Sequence, residues 1–178
     1  MSLIEAIGEG TVRLFSSRKR ILGILLLIAI AAATWRVFFY MSPEEKYWWH
    51  IEESKRLVNA SWLYMEGYYR SNDTETAKRN IEKAIELTKK AKEHVLLAID
   101  LADTYPKKKY AELLAESIQY AILSREKLAE IVYFVEQGDE EGAKRAGKEA
   151  EELIKKAELK LIEANGYLSV IQGGEQNE

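Results

Sequence analysis

The chain has no cysteine, two prolines and two histidines in 178 residues. Without cysteine there is neither a disulfide framework nor a thiolate for metal binding or nucleophilic attack, so stability must come from a packed core. The histidines, His50 and His94, do not sit in a Glu-x-x-His spacing. That excludes the di-iron sites that helical bundles build from that motif. Glu53 follows His50 by three residues, and Glu93 merely adjoins His94. No H-E-x-x-H, no G-x-S-x-G and no phosphate-cradling glycine loop occurs either. The sequence therefore reads as a protein that is not an enzyme, with no catalytic residue, no cofactor and no metal.

Asparagine and glutamine are few, while lysine and glutamate are abundant. Hyperthermophile proteins share this bias and rely on surface ion-pair networks. Residues 42–178 carry 21 basic and 27 acidic side chains. A net acidic surface argues against nucleic acid as a partner, because phosphate contacts need a basic face.

One long apolar run is present. Residues 21–41, ILGILLLIAIAAATWRVFFYM, follow the basic cluster Arg18, Lys19 and Arg20. About 20 apolar residues span a bilayer core, and basic flanks stay on the cytoplasmic side. Arg36 interrupts the run near its end and must snorkel to the far interface, with Tyr40 beside it at headgroup depth. The expectation is a single-pass anchor in the cell membrane, with residues 1–20 cytoplasmic and the remainder extracytoplasmic. A cleaved signal peptide is the competing reading, since Ala29, Ala31 and Ala33 offer A-x-A spacings. Within residues 1–20, Leu3, Ile4, Ile7, Leu14 and Phe15 share one helical side, opposite Glu5, Glu9 and Arg13. That pattern suits an amphipathic segment on the inner leaflet, or a frayed tail.

Both prolines mark boundaries. Ser42-Pro43-Glu44-Glu45 has the form of a helix start: Ser42 caps, Pro43 takes the first helical position and Glu45 completes a capping box. Breaks at Ser71-Asn72-Asp73, Tyr105-Pro106 and Gln137-Gly138-Asp139 then divide the rest into helices over about 44–70, 74–104, 107–136 and 140–171. Apolar positions step by threes and fours, as in Ile81, Ala84, Ala91, Val95 and Ala98, or Tyr110, Leu114, Ser117, Ala121, Ser124 and Leu128. This is the seam of helices packed at small angles. The expected fold is all-α, one transmembrane helix followed by an up-down-up-down bundle of four long helices. Residues 173–178 have the polar, glycine-rich composition of a disordered tail.

The bundle also reads as tandem helical hairpins. DTETAKRNIEKAIELTKKA at 73–91 and DEEGAKRAGKEAEELIKKA at 139–157 share 11 of 19 residues without a gap. Asp73 and Asp139 both stand where an N-cap is needed, so units of about 44–104 and 107–171 follow. The spacing of Ala77, Ile81 and Ala84 resembles the second helix of a tetratricopeptide repeat. That unit has helices half this length and an aromatic-Leu-Gly signature missing here, so no family is assigned.

Two groups of residues are candidates for function. Tyr47, Trp48 and Trp49 follow the anchor closely and suit an aromatic belt at the membrane interface, with Lys107, Lys108 and Lys109 at the same height facing headgroups or solvent. At the opposite end, Trp62, Tyr64, Met65, Tyr68 and Tyr69 of the first helix are expected to meet Gly142, Ala143, Ala146, Gly147 and Ala150 of the fourth, large rings against small residues. Trp62, Tyr64, Tyr68, Tyr69, Gly142, Ala146 and Gly147 are the candidate partner-binding residues. The expected function is non-catalytic presentation of the bundle to another membrane or surface protein, as accessory subunit or scaffold, or self-association. Ligand sensing or solute binding by the bundle is the alternative. The bilayer itself is the first partner, and its test is direct: after an alkaline wash the full chain stays with the membrane pellet, whereas a chain lacking residues 1–41 appears in the supernatant.

Overall fold

The computed structural model describes residues 41–174. They form four α-helices, α1 (Pro43–Tyr69), α2 (Thr74–Leu101), α3 (Tyr105–Gln137) and α4 (Glu140–Gly174), with no strand among the described residues. Arg18, Lys19, Arg20, Arg36 and Tyr40 lie outside them, as does the expected span except for Met41. Among the described residues no helix is long and apolar enough to cross a membrane.

The helix ends follow local chemistry. Asp73 Oδ1 accepts the Thr76 amide at 2.7 Å, and that hydrogen bond holds its carboxyl below the usual carboxylate range. Asp139 Oδ1 accepts the Gly142 amide at 2.9 Å in the same way. Gly138 ends α3 in the left-handed region at φ 70°, where an L side chain is strained. α2 stops at Leu101, three residues earlier than expected. Ala102 is already extended and Thr104 precedes α3, because Pro106 fits only in a first helical turn. α4 continues through Gly173 to Gly174, so the tail expected from residue 173 does not start there, and residues 175–178 lie outside the described residues.

Side-chain partners define the topology. Thr88 meets Arg125 and Lys92 meets Gln119, so α2 and α3 run antiparallel. Lys127 pairs with Glu149 and Lys160 with Glu116, so α3 and α4 do too. Tyr47 bonds to Lys107, Ser61 to Arg125 and Tyr68 to Leu128, which sets α1 parallel to α3 across the bundle. α3 is the central element, buried from Lys107 to Val132 on more than one face. α2 packs along α1 and α3, and α4 packs along α3.

The bundle is not closed. α1 and α4 make no extended contact, contrary to the expectation that they are neighbours. The small residues of α4 pack instead on α3: Ala146 and Ala150 are buried, Gly147 faces Ile131, and a side chain at Gly142 would strike Phe134 and the Asp139 cap. Trp62, Tyr64 and Tyr69 are exposed, while Met65 is buried in the core cluster that includes Ala150 and Tyr68 packs half-buried against it.

The aromatic belt is also redistributed. Tyr47 is wholly buried and donates its hydroxyl to the Lys107 carbonyl at 2.8 Å, so it is a core residue, and burial pushes its phenol above the ordinary range. Trp48 packs half-buried on the core, and Trp49 is exposed with its ring edge-on to His50 and His94. The lysine run divides. Lys107 is buried and pairs with Glu44 and Asp103; burial opposes its charge, but these bonds outweigh it and raise its pKa. Lys109 lies near Glu112, and Lys108 is exposed.

His50 and His94 join α1 to α2, with their Nδ1 atoms 3.0 Å apart, and His50 is 6% exposed. One nitrogen must donate and the other accept, so at least one ring is neutral at its Nδ1. Burial, then the neighbouring His94, lowers the His50 pKa below 6.5. A base whose folded pKa is depressed contributes no penalty above its unfolded value and destabilises progressively as pH falls from there to the folded pKa. The denaturation midpoint of the wild-type chain is therefore expected to drop between pH 7 and pH 5 by more than that of His50→Gln, measured in urea across that range.

Candidate functional site

Because α1 and α4 stay apart, a cleft of about 430 Å³ opens between them. The α1 wall is Val58, Trp62, Met65 and Tyr69. The α4 wall is Ile154, Ala157 and Leu161, with Glu158 among them. α3 forms the floor with Leu114, Ile118, Ala121 and Leu128, and also contributes Ser117, Ser124 and Arg125. The volume is typical of small-molecule sites, which run about 300–1,000 Å³ and pair an apolar lining with a few placed polar groups.

The 66-residue offset between the two related segments explains the apolar α4 wall. Ala84 and Ala98 of α2 correspond to Ala150 and Ala164 of α4, and all four are buried. Thr88 and Val95 of α2 are fully buried, whereas their counterparts Ile154 and Leu161 are 38% and 42% exposed. On α2 such positions are covered within the bundle. On α4 the same stripe borders the cleft.

Arg125 is the one cation at the cleft floor, and it is 5% exposed. Its Nη1 donates to Thr88 Oγ1 at 2.7 Å and its Nη2 to Ser61 Oγ at 3.0 Å. Both hydroxyls already donate their single proton to backbone, Thr88 to the Ala84 carbonyl and Ser61 to that of Val58, so their lone pairs are turned to the guanidinium. The Trp62 ring lies 5.8 Å from the guanidinium carbon. Among the described residues no carboxylate pairs with Arg125; Glu158 lines the cleft without doing so. Burial pulls its pKa down to about 10, partly offset by Tyr69, and it remains charged at neutral pH.

No protein-family model matches this chain, and neither the curated proteins nor the solved structures include a significant match to it.

The structure brings Trp62 and Tyr69 of the expected residues to the cleft, with Tyr68 behind them donating to the Leu128 carbonyl at 3.2 Å. It does not bring Gly142, Ala146 or Gly147 there, nor Tyr64. Among the described residues no group of three or more His, Asp or Glu side chains is placed to hold a metal ion. Arg125 was missed because a seam drawn through Ser124 leaves Arg125 and Glu126 beside it as ordinary solvated charges. A signal was present: Leu114, Ile118, Ala121, Arg125, Leu128 and Val132 form a second stripe of threes and fours along α3, and Arg125 stands within it.

A buried charge without a counter-charge is held at a cost to stability, and removing one of its acceptors exposes that cost. Thr88→Val is expected to destabilise the fold by about 1–3 kcal/mol. Arg125→Met, an apolar replacement of similar length, is expected to unfold at the same temperature as wild type or higher. Thermal and urea unfolding of the two variants checks both.

Proposed function

We propose that this chain is a non-catalytic, single-pass membrane protein whose helical domain holds an elongated apolar molecule in the cleft between α1 and α4. Of the two roles the sequence leaves in play, presentation to a partner protein and ligand binding, the cleft supports the second. The supporting observation is the cleft itself: about 430 Å³, within the range of small-molecule sites, largely apolar and with a buried cation at its floor. From Lys55 to Tyr69 the α1 wall runs 14 residues, about 21 Å, a length and lining that suit a narrow hydrocarbon.

The expected anchor supports the same role, since it would hold the cleft close to a bilayer where apolar molecules concentrate. Nothing in the cleft suggests chemistry beyond binding: its polar groups are two serines, a threonine, an asparagine, a lysine, a glutamate, the Tyr69 hydroxyl, the Trp62 indole and Arg125, without an acid-base pair or an activated nucleophile in hydrogen-bond contact.

The test uses the full chain in lipid nanodiscs with a photoactivatable neutral alkyl probe, followed by mapping of labelled peptides. Label within residues 21–41 reports the probe in the bilayer and serves as the internal control. Label in the peptides carrying Val58, Ile118 and Leu161 is the expected result, and Ala121→Trp, which fills the floor, is expected to remove it. Control label without cleft label rejects cleft binding and returns the chain to the partner-protein reading.

A further inference from the structure

We propose that the ligand is a single-chain anionic amphiphile, a carboxylate on an alkyl body, and that Arg125 is the counter-ion for its head group; this rests on the reading of the cleft as a ligand site.

Arg125 is 5% exposed and lies at the cleft floor, and its two protein partners are neutral hydroxyls. These use two of the five N–H donors of a guanidinium and leave three. A planar fork with free donors in an apolar surrounding matches a carboxylate, which accepts two parallel N–H bonds and brings the missing negative charge. An alcohol brings a hydrogen-bond acceptor without the charge, and a quaternary ammonium brings the wrong sign.

From Arg125 back to Leu114 the α3 floor runs 11 residues, about 16 Å, and Ala121 and Ile118 lie between them on the same stripe. Ala157 and Leu161 face this stretch from α4, and Val58 from α1. A head group at Arg125 thus places a medium-length alkyl tail along a largely apolar trough, with Ser117, Lys55 and Glu158 also in its lining. Trp62 lies beside the guanidinium, its ring 5.8 Å from the guanidinium carbon, and forms one wall of the head-group site.

Arg125 sits toward the end of the bundle where α1 finishes and α4 starts, whereas the tail points toward the end where α1 begins.

The experiment compares three photoactivatable probes of equal chain length on the full chain in phosphatidylcholine nanodiscs: dodecanoate, dodecanol and dodecyltrimethylammonium. Cleft label is normalised to label within residues 21–41. In the wild-type chain the expected order is carboxylate, then alcohol, then ammonium, with the carboxylate ahead of the alcohol by about tenfold, as a charge-assisted hydrogen bond supplies. In Arg125→Met that advantage is expected to vanish while the alcohol label persists. Equal cleft label by all three probes overturns Arg125 as counter-ion and leaves cleft binding standing; cleft label by none overturns both. The order in the wild-type chain decides the matter without any variant, so a poorly folded Arg125→Met does not shelter the proposal.

Discussion

Burial of α3 from several sides is the constraint on which the rest of the domain depends. α2 lies along one flank, α4 along another, and α1 reaches it across the bundle through Tyr47, Ser61 and Tyr68. A helix so surrounded needs apolar or satisfied residues on more than a single stripe, and α3 has them from Tyr110 to Val132. Geometry then leaves α1 and α4 on opposite shoulders of α3 with a gap between them. The cleft is the direct result of giving α3 the central place.

Polar groups inside this arrangement are handled by pairing in two distinct ways. Lys107 is buried with Glu44 and Asp103, so its charge is neutralised where it stands. Arg125 is buried with Ser61, Thr88 and the Trp62 ring, which orient the guanidinium and supply no negative charge. Paired burial of the first kind is what a structural ion requires. The second kind leaves an electrostatic demand facing the cleft. Around both, ion pairs such as Lys89–Glu126, Lys127–Glu149 and Lys160–Glu116 tie neighbouring helices at the surface. Each is worth little alone at ordinary temperature, and together they give the lysine-glutamate bias a structural expression.

The relation between the α2 and α4 segments connects sequence to site. The two share capping aspartates and buried alanines in one register, yet they meet different surroundings. α2 is flanked by α1 and α3, so its stripe at Thr88 and Val95 disappears into the core. α4 is flanked by α3 alone, and Ile154 and Leu161 border open space. A stripe that is buried on α2 thus borders the cleft on α4.

Much of the fold was legible in the chain because it is governed by local rules. Pro43, Pro106, Asp73, Asp139 and Gly138 act through one turn of backbone each, and they placed all four helices to within three residues at every end. The seam positions Ile81, Val95, Tyr110 and Leu114 are buried as their spacing implies. What tertiary structure alone decided is which helices touch. Heptad spacing says that a stripe will be covered and is silent on the partner, so the sequence did not reveal that α1 and α4 stand apart. Nor did it reveal that Tyr47 turns inward to the Lys107 carbonyl, or that Arg125 lies beneath a cleft. An arginine in a stripe looks the same whether a carboxylate, a hydroxyl or water answers it, and only the neighbours brought in from α1 and α2 distinguish those cases.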